Sequence, residues 1–363
     1  MTHPMSIFER LNPLRIVRAA DAVPHLQNLG GKLRDDQKEV TRQLRAIGRQ
    51  LEQLQLTLKD QQEILARVPE LQDRIQQCVT AYTFDSRYAD LLPGIRARLG
   101  DGDRAASHAA SAVARAALEL EPCPHVVIEN LLPDDVCSEL MNAVPSSQFF
   151  KSRDQIREEL GVPFEFAPAY SRLVWGYFFD HVITRALLPA LTDKFRPALD
   201  VFVRTHWPEL GSMAESGIKL RVSNSRLLLR RPGYVIKPHR DPRWAFLTCL
   251  VYLPRPGEPP SYGTQFYRLR REPEITHSSP LWVDPAECEF VKDVPSRRNT
   301  AVVFLNSTGA HGASIPPDAP ADTERYVYQV QFGVDDEMRK KLIDGLSDKA
   351  RPGWAVARGE GYQ

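Results

Sequence analysis

The chain has 363 residues, 42% of them hydrophobic and 26% charged, with 47 Lys and Arg against 46 Asp and Glu and a net charge of +1. That length can hold a large core, and the balanced charge lacks the basic footprint of a nucleic-acid-binding protein. The cysteines Cys78, Cys123, Cys137, Cys249 and Cys288 are scattered, odd in number and free of any CxxC pair, which suits reduced thiols in a cytoplasmic protein.

Charged residues interrupt every apolar run from Met1 to Val23, so neither a signal peptide nor a membrane span is expected, and residues 1–32 read as a lead-in. A heptad pattern then runs through residues 33–80. Leu33, Val40, Ile47, Leu54, Gln61, Val68 and Ile75 recur every seven residues, interleaved with Gln37, Leu44, Leu51, Leu58, Leu65, Gln72 and Val79. This predicts an α-helical coiled coil and, as its simplest outcome, a homodimer; a helical hairpin folded back on its own domain is the competing reading. Gln61 and Gln72 weaken the seam but fix register, and Pro69 is expected to kink or interrupt the helix.

Residues 81–120 read as a helical linker, broken at Gly100-Asp101-Gly102-Asp103 and helical again over Ala105–Leu120. Helices are predicted at Asp134–Ala143, at about Val182–His206 and at Asp335–Leu346, before a Gly-containing tail at 351–363.

Between these helices the pattern changes to strands. Leu227–Ile236 reads as strand, Pro-Gly turn and second strand. Ala245–Leu253 is an apolar run stopped by Pro254, as in a buried strand. Gly263–Leu269, Thr300–Leu305 and Arg325–Phe332 add further strands, so residues 218–333 form an antiparallel domain, a two-sheet jelly roll of about eight strands.

Within this region, His239 and Asp241 stand two apart on an extended segment and therefore face the same side. His311 lies seventy-two residues on, in Gly309-Ala310-His311-Gly312. Two His and one carboxylate on one face of a metal is the arrangement of non-haem Fe(II) oxygenases. The bland alternatives are a core His239, a turn residue at Asp241 and a His311 that closes a hairpin. His125, His181, His206 and His277 have no partner at ligand spacing and read as structural or solvated.

These residues resemble the 2-oxoglutarate and Fe(II)-dependent dioxygenase superfamily, most closely its prolyl-hydroxylase-like branch. The Pro-Gly turn, His239-x-Asp241, Thr248–Leu253, Gly263-Thr264, His311 and Arg325-Tyr326 occur in the family's order, and Pro124–Asp135 is similar to its opening strand and following helix. The resemblance covers about residues 120–335. It implies a double-stranded β-helix (jelly-roll, cupin-like) catalytic domain at 121–350, braced by helices, and with the coiled coil read from the heptads before it the chain is expected to be an α+β protein. It implies Fe(II) bound by His239, Asp241 and His311, and 2-oxoglutarate held by Arg325, with Tyr252 against the same carboxylate and Thr248 lining the pocket. The implied reaction consumes O2 and 2-oxoglutarate, releases succinate and CO2, and hydroxylates an unactivated C–H bond. Asp241 fills the position that halogenase variants leave open for chloride.

Two departures from the family pattern stand out. Arg325 follows His311 by fourteen positions, further than usual, across the Pro-rich stretch Ser314–Asp322, which reads as a lengthened loop. Arg230 or Arg231 replaces an aromatic residue before the iron strand, which points to an anionic or polar substrate. Arg230, Arg231, Arg243, Trp244 and Tyr267 are the candidate substrate contacts, for a peptidyl side chain, small metabolite or glycan precursor. The alternatives are a coiled-coil scaffold with a non-catalytic module, a surface role for Arg325 and simple core packing for Tyr252, or a cupin that binds Zn or Mn without 2-oxoglutarate.

Overall fold

The computed structural model describes residues 13–89, 92–154, 156–164, 166–271, 281–346 and 351. The chain divides into two compact units, Met1–Ile75 and Gln76–Gln363. The expected lead-in up to residue 12 and the tail from 352 lie outside the described residues.

The first unit is helical. Helix α1 spans Pro13–Tyr88, so it starts inside the expected lead-in and ends inside the expected linker. It also runs unbroken through Pro69, against the predicted interruption. Proline there removes a donor to the Leu65 carbonyl, a loss confined to one turn while the flanking turns stay bonded. The heptad positions from Gln37 to Val79 are exposed, with Leu44 62%, Leu54 65% and Leu65 67% accessible.

In the second unit, short helices α2 (Ile95–Leu99) and α3 (Asp103–Arg115) precede strand β1 (His125–Glu129) and helix α4 (Asp134–Asn142). A hairpin of β2 (Lys151–Asp154) and β3 (Arg157–Gly161) follows. The sequence reading missed it because charged residues conceal its strand character. Helix α5 (Ala169–Tyr177) passes through a π-helical stretch, Phe178–Leu187, into α6 (Leu188–His206), a longer run than the predicted helix from Val182. After α7 (Met213–Ser216), strands β4 (Arg221–Arg230), β5 (Val235–Arg240), β6 (Leu247–Leu253) and β7 (Thr264–Leu269) follow. Strands β8 (Leu281–Trp282), β9 (Cys288–Val294), β10 (Thr300–Leu305), β11 (Ala310–Ser314) and β12 (Arg325–Gly333) lead to helix α8 (Asp336–Asp344).

The strands form a seven-stranded sheet, β1-β10-β6-β12-β4-β3-β2, and a five-stranded sheet, β8-β5-β11-β7-β9. Every pairing is antiparallel. From β4 to β12 the chain passes back and forth between the two sheets, which gives the expected jelly roll.

Alternation along the strands explains why the large sheet is buried on both faces. Leu247, Cys249 and Val251 of β6 and Tyr326, Tyr328, Val330 and Phe332 of β12 join the core built with Trp175, Phe178, Phe195 and Phe202 of the helices. Their neighbours Leu250, Tyr252 and Val327 turn the other way and pack with Phe266 and Val294 of the small sheet. The space between the sheets is thus apolar at its base, and polar side chains that enter it stand out.

Candidate metal centre and its cavity

His239 and His311 are direct cross-strand partners on β5 and β11, their ring centroids 4.2 Å apart. Asp241 follows β5 immediately, with Oδ1 3.6 Å from His239 Nε2 and 4.0 Å from His311 Nε2. One ligand atom from each of the three lies within 4.8 Å of the others, and all three residues are buried. This is the one such cluster among the described residues.

Hydrogen bonding leaves the metal-facing atoms bare. His239 Nδ1 lies 3.0 Å from the Lys237 carbonyl and donates to it, which turns Nε2 toward the other two residues. Asp241 Oδ2 accepts from Thr248 Oγ1 at 2.8 Å and Gln331 Nε2 at 3.3 Å, so Oδ1 faces the two imidazoles. Thr248 in turn accepts from Asn306 Nδ2 at 3.0 Å. Burial raises the Asp241 pKa, but the adjoining His239 and His311 imidazoles and the Thr248 hydroxyl outweigh it and hold the carboxyl well below its usual range. Burial and the neighbouring His239 push His311 down to about 3, which keeps its imidazole neutral. A carboxylate and two imidazoles on one face are the donor set a divalent metal requires, and the residues fit it.

The three residues line a cavity of about 110 Å³ between the sheets. Arg325, the first residue of β12, lines it too. It is 4% exposed, and its Nη2 donates to the Gly263 carbonyl at 3.3 Å while Nε has no partner. Burial lowers the pKa of this guanidinium, and Tyr234, Tyr252 and Glu258 act in the opposite sense. Gly263 is required where it stands, since a Cβ there would lie 1.8 Å from the Val294 carbonyl oxygen. Tyr252 is fully buried, and its hydroxyl donates to Thr264 Oγ1 at 2.8 Å. Thr264 lines the cavity, whereas Tyr252 and Thr248 lie behind the lining. Burial pushes the Tyr252 phenol up to about 12, so it stays protonated.

Of the expected substrate contacts, Arg230 reaches the cavity. The others do not. Arg231 pairs with Glu158 and Glu324, each at 3.1 Å, because it follows the end of β4 and falls on the opposite face. Arg243 meets His206 at 3.1 Å, Trp244 stacks under Arg339, and Tyr267 bonds Gln265 beside Phe290. The sequence reading overlooked Gln331, Asn306, Thr264, Tyr234 and Trp282. For Gln331 a signal existed, since Arg325, Gln329 and Gln331 are polar residues at alternate positions of an otherwise apolar strand.

No family model matches the chain, and no curated protein sequence matches it. Among solved structures, HygX from Streptomyces hygroscopicus, with nickel and 2-oxoglutarate bound, is similar at 13% identity and a TM-score of 0.36 over 58% of this chain and 83% of its own. A prolyl-4-hydroxylase from Pseudomonas putida is similar at 17% identity and a TM-score of 0.32 over 62% of this chain and 98% of its own. SnoK, a non-haem α-ketoglutarate-dependent carbocyclase from nogalamycin biosynthesis, is similar at 15% identity and a TM-score of 0.34 over 72% of this chain and 96% of its own.

Proposed function

We propose that the chain is an Fe(II)- and 2-oxoglutarate-dependent dioxygenase that hydroxylates an unactivated C–H bond of a peptidyl side chain or small molecule. The observation that carries this reading is the pairing, in one cavity, of the His239, Asp241 and His311 cluster with the buried guanidinium of Arg325, which makes no ion pair among the described residues. A cupin that only binds metal has no use for such a charge, which is costly to bury without an anion.

His239 Nε2, Asp241 Oδ1 and His311 would hold the metal, and Thr248 and Gln331 fix the rotation of the Asp241 carboxylate. Arg325 would take the distal carboxylate of 2-oxoglutarate, a planar fork suited to two parallel hydrogen bonds. Thr264, oriented by Tyr252, offers a hydroxyl beside it. When bound, iron and 2-oxoglutarate supply the oxidising power, with succinate and CO2 as co-products. The chain contributes orientation and an apolar patch of Leu250 and Val327, with Phe304 against His311, which limits water around the reacting centre.

The exposed heptad seam of α1 supports a homodimer through a coiled coil, since apolar positions at a seven-residue repeat are stabilised by a second helix. Five free cysteines support a cytoplasmic location, and no described helix is long and apolar enough to cross a membrane.

The test is an anaerobic titration of metal-free protein with Fe(II) and then 2-oxoglutarate, following the visible charge-transfer band of the chelate. The band is expected in the wild type and absent in His239→Ala. Metal binding without a band would favour the metal-only cupin, and no metal binding would move attention to the coil as a scaffold.

A further inference from the structure

Four arginines line the cavity, and three have an evident anionic counterpart once the proposed cofactor is counted. Arg157 pairs with Asp154 at 2.6 Å and Arg226 with Glu159 at 2.9 Å. Arg325 takes the distal carboxylate of 2-oxoglutarate under the function proposed above. Arg230 remains.

Arg230 is the cross-strand partner of Arg325 on one side and of Arg157 on the other, so the three form a row across β12, β4 and β3 on the inner face of the large sheet. It is 8% exposed and makes no ion pair with any described carboxylate. Its Nη1 donates to the Glu158 and Leu229 carbonyls at 2.8 and 2.9 Å, which fixes the side chain. The guanidinium lies 5.1 Å from the Tyr234 ring centroid, and Nε is buried without a partner. A held, desolvated cation with an unused donor is a preorganised anion receptor, because the cost of ordering and drying it is already met in the folded state.

We propose that Arg230 binds a carboxylate or phosphoryl group of the primary substrate, which is therefore an anionic molecule. Trp282 stands on the other sheet, its ring 5.2 Å from that of His239, and gives the substrate an apolar surface beside the metal ligands. The anionic group and the carbon to be oxidised would thus be addressed from opposite sheets. This inference rests on the proposed function, because that reading assigns Arg325 to the cofactor.

The test titrates the full-length protein, loaded anaerobically with Fe(II) and 2-oxoglutarate, with inorganic phosphate and with acetate by calorimetry. Saturable binding of either anion is expected, weakened about tenfold or more in Arg230→Gln and largely restored in Arg230→Lys. The 2-oxoglutarate Kd of Arg230→Gln, read from the charge-transfer band, should stay within about twofold of wild type. A tenfold rise in that constant would make Arg230 a second cofactor anchor and overturn the proposal, as would the absence of anion binding. Metal-free Arg325→Gln protein separates the two readings. Arg230-dependent binding of phosphate there supports the receptor even if the wild type forms no band with iron and 2-oxoglutarate, and its absence counts against the receptor alone.

Discussion

Thr248 Oγ1 donates to Asp241 Oδ2 across 2.8 Å, so a β6 hydroxyl sets the rotation of a carboxylate that follows β5 in the other sheet. Replacement of Thr248 by Val keeps the shape and deletes the bond. Metal affinity should fall by about 10–100-fold, as for other outer partners of metal ligands, with the fold retained. Fe(II) or Co(II) titration alongside circular dichroism checks this. Unchanged affinity would show that Gln331 alone suffices to orient Asp241.

Gly263→Ala places a methyl group 1.8 Å from the Val294 carbonyl oxygen, a backbone atom that cannot swing aside. Overpacking of this kind costs about 1–3 kcal/mol, and more where only backbone can move. The displaced strand would also carry the Gly263 carbonyl away from Arg325. A lower melting temperature together with weaker 2-oxoglutarate binding is expected. A wild-type melting curve would contradict the close approach of these two segments.

The metal-free protein should lose stability as pH falls below the ordinary histidine value of about 6.5. Burial depresses His125, whose Nε2 makes no hydrogen bond and lies 3.7 Å from Glu119, and it pushes His311 down to about 3. In that window the unfolded chain takes up protons that the folded chain refuses, so acidification favours unfolding by up to about 1.4 kcal/mol per pH unit for each histidine. Asp241, whose carboxyl is depressed in the fold, extends the loss to lower pH. Urea midpoints measured from pH 7.5 to pH 4.5 should decline steadily, and a flat profile would contradict these assignments.

Leu51→Glu combined with Leu58→Glu places two charges on the exposed seam of α1. If the seam holds two copies together, light scattering should show the mass fall from dimer to monomer while the charge-transfer band persists. A wild-type protein that is monomeric at micromolar concentration would remove the dimer from the proposed function.

The clustering of His239, Asp241 and His311 was legible because it depends on spacing. His239 lies on β5 and Asp241 directly after it, and the alternation of an extended chain puts them on one side. The apolar runs that became β6, β10 and β12 were legible for a similar reason, since sheets covered on both faces read as continuous hydrophobic sequence. The supporting residues were not. Gln331, Asn306 and Thr264 act through cross-strand register and loop approach, which local sequence does not specify. The β2–β3 hairpin was hidden because Lys151, Arg157, Glu158 and Glu159 give it the composition of a loop. Arg230 and Arg231 illustrate the limit well. Adjacent and chemically identical, they fall on opposite faces, and one lines the cavity while the other pairs with Glu158 and Glu324.

All nine residues of β12 are buried, yet they serve two separate demands in strict alternation. A saturation scan of this strand should therefore show a parity rule. Variants at Tyr326, Tyr328, Val330 and Phe332 would be recovered as poorly expressed or insoluble chains, whereas polar-to-polar variants at Arg325, Gln329 and Gln331 would yield abundant, inactive protein. Selection for abundance and selection for turnover would each see only half of the strand, and neither screen alone would identify it as the common spine of core and site.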